Sequence, residues 1–153
     1  MQAGELVWIG LRSKRNVAII TPSTAVLVAE RGITGDHYDT QRNGPRQVTL
    51  VGIEDLASIA SFLGRDHVTP EMLRRNFVTR GVNLVSLKNR RFQIGPAFLE
   101  WSGDCAPCSR MEAHLGPGGY NAVRGHGGIT ARILTGSMVR LGDAITVNDR
   151  PVD

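Results

Sequence analysis

The chain has two cysteines, and both fall in Cys105-Ala106-Pro107-Cys108, followed by Ser109-Arg110-Met111-Glu112. Pro107 biases Ala106 away from the helical region, which places the thiols on a turn. Ser109 suits the N-cap of a short helix over Arg110 to Leu115. Cys108 then sits just before a helix N-terminus, whose partial positive charge favours the thiolate, and Arg110 acts in the same sense. A thiolate attacks electrophiles and ligates soft metals. The other reading is a pair of small core residues, since free cysteine is among the most buried types. The C-x-x-C spacing alone does not choose between them.

Three further segments carry polar chemistry. Gly32-Ile33-Thr34-Gly35-Asp36-His37 reads as a tight turn presenting Asp36, and it opens a hydrophilic loop running to Pro45 through Arg42 and Asn43. Arg46 follows that loop. Arg74-Arg75-Asn76-Phe77-Val78-Thr79-Arg80-Gly81 sets arginines and an asparagine at a helix-to-strand junction. Such a group can hold an oxyanion bidentately, or the arginines can simply face a helix C-terminus. Gly125-His126-Gly127-Gly128 is a second glycine-rich bend.

Several chemistries are disfavoured. Cys105, Cys108, His114 and His126 lack zinc-finger spacing, so no zinc is expected. A thioredoxin-like dithiol needs a βαβ setting, and none is visible. No P-loop, dinucleotide fingerprint or serine nucleophile elbow occurs. Asp36 alone is too little for a hard cation.

The elements that must position these residues are short. Leu6 to Leu11, Val17 to Ile20, Ala25 to Glu30, Arg46 to Val51, Val82 to Val85, Arg91 to Ile94 and Ala97 to Trp101 read as strands. Ile129 to Leu134, Ser137 to Arg140 and Ala144 to Val147 continue the pattern. Glu54 to Leu63 is the clearest helix, with Leu56, Ile59, Ala60 and Leu63 on one face and Gly64 ending it. Thr69-Pro70 starts a short helix to Arg74, and Asn121 to Arg124 makes one helical turn. Alternating βα units are absent, which argues against a parallel doubly wound sheet. The expectation is a mainly β (α+β) fold, a closed or nearly closed β-barrel with a few short peripheral helices, as one domain over 1–153.

The net charge of +4 rests almost wholly on arginine, with Lys14 and Lys88 the only lysines. Arginine grips phosphate and carboxylate with a planar fork. Sparse aromatics argue against a single-stranded nucleic-acid platform, so no nucleic acid is expected, and a small anionic ligand fits better. No apolar run approaches membrane-spanning length and no signal-peptide pattern opens the chain, so a cytoplasmic protein without a membrane partner is expected.

Taken in order, Gly35-Asp36-His37, Arg46-Gln47-Val48, Arg74 to Gly81, Ile94-Gly95, Cys105 to Cys108, the bend at 125–128, Gly136 and Gly142-Asp143 resemble a MOSC domain. This is the C-terminal domain type of molybdenum cofactor sulfurases, also found as small stand-alone bacterial proteins. The resemblance runs from about Gly35 to Val147. It implies a β-barrel that binds a molybdopterin-type cofactor carrying molybdenum or tungsten, independent of pyridoxal phosphate. Cys108 matches the family's key cysteine, a metal ligand or sulfur carrier. Arg74 and Asn76 match the Arg-x-Asn of cofactor-binding members, with Thr79 and Gly81 in the same motif. Arg46, Arg75 and Asp36 complete the expected cofactor-binding set.

The first expectation is therefore an oxidoreductase domain reducing N-hydroxylated or related N–O compounds, with a flavin or iron–sulfur electron donor. The alternative is a sulfur carrier or cofactor chaperone, loaded as a Cys108 persulfide by a desulfurase and without turnover of its own.

Overall fold

The computed structural model describes residues 3–14, 17–39, 43–105 and 110–148. Cys108, its neighbours Ala106, Pro107 and Ser109, and Arg42 lie outside the described residues.

Strand alternation builds the frame. The strands β1 (Gly4–Ile9), β4 (Val48–Gly52), β5 (Phe77–Arg80), β6 (Arg91–Ile94), β7 (Ala97–Asp104), β8 (Ile129–Thr135) and β10 (Ala144–Asn148) form a closed barrel. Their order is β1-β10-β6-β7-β8-β4-β5, returning to β1. A second sheet sets β2 (Thr24–Val28) between β3 (Gly32–Ile33) and β9 (Ser137–Arg140). Consecutive residues of β4 and β5 face opposite ways. Leu50 and Phe77 join the barrel core with Leu6, Phe92 and Leu99, while Val51 and Val78 join a second core outside the barrel.

The helices cover that outer core. In α1 (Ile53–Leu63), Leu56, Ile59 and Ala60 face inward, Glu54 and Asp55 meet the positive end of the helix dipole, and Gly64 closes the helix at φ 67°. α2 (Pro70–Leu73), α3 (Arg110–Leu115) and α4 (Gly119–Val123) complete the set. Met111, Leu115 and Val123 pack into the same cluster as α1 and α2.

The closed barrel and peripheral helices match the expectation, with some differences. β4 and β5 pair in parallel, and α1 and α2 form the crossover between them. One βαβ unit is therefore present, which the reading of the sequence missed. Its signal is that β4 is buried at every position, as a strand covered on both faces must be. Val82 to Val85 is not a strand: Leu84–Leu87 forms a 3₁₀ turn, and the strand lies earlier, at β5. Val17 to Ile20 makes only one isolated bridge, Ile20 to Leu11. Thr69 has the extended backbone of an N-cap without a side-chain capping bond.

Candidate functional site

The site grows from the junction of α2 and β5. Arg74 caps α2 in the left-handed region at φ 60°, and its N–H reaches the carbonyls of Pro70 and Glu71. A non-glycine residue in this conformation costs on the order of 1 kcal/mol, and here it reverses the chain. Arg75 and Asn76 are thereby carried into the protein, at 3% and 6% exposure.

Asn76 is fully engaged. Its Oδ1 accepts from the Thr49 N–H at 3.0 Å and the Thr49 hydroxyl lies at 3.1 Å. Its Nδ2 donates to the Gly10 carbonyl at 3.2 Å, and its own N–H reaches Thr49 Oγ1 at 2.9 Å. Arg75 donates from Nε to the Gly127 carbonyl at 2.8 Å and from Nη1 to the Leu73 carbonyl at 2.6 Å.

Asp36 comes to the same place from the turn after β3. Its carboxylate accepts from the Arg12 N–H at 3.1 Å and the Tyr38 N–H at 3.4 Å. Burial raises its pKa above the usual carboxylate value; the Tyr38 N–H, His37, Asn76 and Arg46 pull the other way without cancelling it. Gly10, Arg12, Asp36, Thr49, Arg74 and Asn76 line one cleft, joined by His37, Tyr38 and Arg75. The cleft is about 10 Å³, room for one water. Arg46 lies beyond it, its guanidinium 5.0 Å from the centre of the Tyr38 ring. Two buried nitrogens beside the cleft, Arg46 Nε and His37 Nδ1, find no hydrogen-bond partner among the described residues.

Four of the expected residues, Asp36, Arg74, Arg75 and Asn76, thus surround one cleft, with Arg46 at its edge. Thr79 and Gly81 do not join them. Thr79 is fully buried with its hydroxyl unpartnered, on the same strand face as Phe77. Gly81 lies past the far end of β5, about 16 Å of extended chain from Asn76. It takes φ 77° and donates to Glu54 Oε2 at 2.8 Å.

Cys105, at the start of the Cys-x-x-Cys segment, meets this site through backbone. Cys105 is 4% exposed, and its N–H donates to the Gly128 carbonyl at 2.9 Å. A Cβ on Gly127 would stand 2.1 Å from the Cys105 carbonyl oxygen, so glycine is required there. Gly127 also supplies the carbonyl that holds Arg75. Cys105 and Arg75 therefore share one bend, and Cys108 follows three residues later. Among the described residues, no three His, Cys, Asp or Glu side chains cluster as a metal site. The sequence reading missed Gly10, Arg12 and Thr49, whose roles arise only from long-range pairing. It found the bend at 125–128 but not that its carbonyls hold Arg75 and Cys105.

The sequence model of the MOSC domain matches residues 33–146. Among curated proteins no sequence matches. Among solved structures, the YuaD protein from Bacillus subtilis superimposes with a TM-score of 0.84 at 21% identity, covering 95% of this chain and 96% of that one. YiiM from Escherichia coli gives 0.71 at 18% identity, over 97% of this chain and 72% of that one. YiiM from Geobacillus stearothermophilus gives 0.73 at 16%, over 96% and 76%. At these identities the likeness establishes the barrel architecture.

Proposed function

Because the chain belongs to the MOSC domain family, a family associated with molybdenum cofactor binding, we propose that it binds a molybdenum or tungsten pterin cofactor with Cys108 as the protein ligand to the metal. The observation that carries this is the convergence of Asp36, Arg74, Arg75 and Asn76 on one cleft, tied through Gly127 to Cys105 at the start of the Cys-x-x-Cys segment.

The donor set fits such a ligand. Arginine forks suit the phosphate of a pterin cofactor, and a thiolate is a compatible ligand for molybdenum already bound by soft sulfur. Two buried nitrogens beside the cleft, Arg46 Nε and His37 Nδ1, have no hydrogen-bond partner among the described residues. Since the cleft takes only one water, and Arg75 and Asn76 are spent on Gly127, Leu73, Thr49 and Gly10, it is Arg74 and Arg46 that grip an anionic edge of the ligand without enclosing it.

When bound, the group supplies two-electron redox chemistry. The reaction class we assign is reduction of N-hydroxylated or related N–O compounds. It consumes two electrons from an external flavin or iron–sulfur donor and two protons, and releases water. The protein's part is to fix Arg75 and Asn76 through backbone bonds and to orient the anion before chemistry begins.

The test is elemental analysis of protein purified from a host that makes the cofactor. Near-stoichiometric molybdenum or tungsten, with pterin fluorescence on denaturation, is the expected result. A metal-free protein carrying a Cys108 persulfide would replace this reading with a sulfur carrier served by a desulfurase. A protein with neither would overturn both.

A further inference from the structure

The bend that joins Arg75 to Cys105 is itself fastened from outside, at a point no part of the proposed cofactor site touches. His126 occupies the second position of Gly125–Gly128. Its Nδ1 stands 3.0 Å from Asp55 Oδ1, in the first turn of α1. The His126 ring also lies 5.5 Å from the Phe62 ring, two turns further along α1. Both side chains of the pair are about one-third exposed. The backbone of His126 closes the bend by donating to the Val123 carbonyl at 2.8 Å.

The next two residues carry the consequence. Gly127 offers its carbonyl to Arg75 Nε, and Gly128 offers its carbonyl to the Cys105 N–H. Glycine-rich backbone does not hold such a shape by itself, because each glycine is free to leave it. A side chain anchored to a packed helix does. Leu56, Ile59 and Ala60 seat α1 on the outer core, so Asp55 is a fixed point.

We propose that the Asp55–His126 contact is a clasp that positions Arg75 and Cys105. Asp55 and His126 are positioning residues, since neither lines the Asp36–Asn76 cleft. The value of the clasp to cofactor binding rests on the function proposed above. Its effect on the bend does not, and the test is chosen to read the bend directly.

The readout is the rate at which iodoacetamide alkylates Cys105 in the folded, cofactor-free full chain, followed by mass spectrometry in a Cys108→Ser background. Cys105 is buried, so alkylation requires local opening. Asp55→Ala and His126→Ala should each raise the rate about fivefold, the factor given by about 1 kcal/mol of lost local stability. The double variant should raise it no further, as expected for two residues acting through one contact. Asp55→Asn, which can still accept a hydrogen bond, should restore most of the protection.

Glu54→Ala is the control, because Glu54 sits in the same helical turn but binds Gly81 instead. An increase with Glu54→Ala equal to that with Asp55→Ala would overturn the clasp and point to loosening of α1. So would additive effects in the double variant, or rates unchanged in both single variants. If the chain with Cys108 intact retains no metal in the elemental analysis above while the Cys108→Ser background shows the fivefold effect, the cofactor reading falls and the clasp stands.

Discussion

At the scale of single residues, the site keeps an acid where an acid is costly. Asp36 is 7% exposed and its carboxyl pKa is raised, chiefly by burial. A raised acid pKa means the folded chain binds the proton more tightly than the unfolded chain. The native state therefore loses stability as pH climbs from the ordinary Asp value through the folded pKa, and the cost is fully present above it. Asp36→Asn removes the titration while keeping an oxygen for one of the two N–H donors, since Arg12 and Tyr38 donate to different carboxylate oxygens. Relative to the wild type, the variant should gain stability between acid and neutral pH, measured as urea midpoints at both. A constant difference across that range would refute the assignment. The thiols give a second prediction. Cys108→Ser should abolish metal retention, while Cys105→Ser should reduce it less, because the Cys105 backbone bond to Gly128 survives the change. Equal loss from both would argue for a dithiol site. Asp36, Arg74, Arg75 and Asn76 were legible in the sequence as polar residues at a turn and a junction. Their partners Gly10, Arg12 and Thr49 were not, because 24 residues separate Arg12 from Asp36 and 27 separate Thr49 from Asn76. Local pattern carries no trace of such pairings.

At the scale of elements, the glycine bend shows how a backbone carries function. Gly128 takes φ 87°, and a Cβ there would stand 1.8 Å from the Leu50 carbonyl oxygen in β4. Both the conformation and the space demand glycine. Gly128→Ala should destabilise the chain by roughly 2–4 kcal/mol, combining left-handed strain with a clash against rigid backbone. Gly125, also left-handed but with open space around its missing Cβ, isolates the first of these effects. Gly125→Ala should cost only about 1 kcal/mol. Thermal or urea denaturation compares the two, and equal costs would show that the bend gives way to accommodate the methyl group. Helix α1 was readable because apolar residues at helical spacing meet a terminal glycine. The 3₁₀ turn at Leu84–Leu87 was mistaken for a strand because a short run of valine and leucine fits either. Only its place after β5, past the left-handed Gly81, settles its form.

At the scale of the whole molecule, the barrel is closed by its ends. β1 near the N-terminus pairs with β10 near the C-terminus, Gly4 opposite Ile145 and Glu5 opposite Ala144. The Leu6 N–H continues the seam to the Asp143 carbonyl at 3.0 Å. The β7–β8 ladder is longer, running from Phe98 opposite Thr135 to Asp104 opposite Ile129. Closing a loop of nearly the full chain length costs entropy before any contact offsets it, so folding should be slow for a domain of this size. Whether the short seam opens alone or with the rest is set by the core behind it. Leu6, Ile94 and Ile145 are buried from three adjacent strands in one cluster with Phe92 and Leu99, so opening the seam uncovers the barrel interior. The expectation is one cooperative transition. The two tryptophans report on it from different places, since Trp8 lies on β1, three residues past the seam residue Glu5 and opposite Val78, and Trp101 lies on β7. In Trp8→Phe and Trp101→Phe variants, each keeping one fluorophore, urea unfolding followed by fluorescence should coincide with far-ultraviolet circular dichroism of the same variant. A Trp8 signal lost at lower urea than the dichroism would mean that the seam yields first. The barrel would then be an open sheet held shut by its ends, and the cleft at the start of β5, which pairs with β1, would open with it.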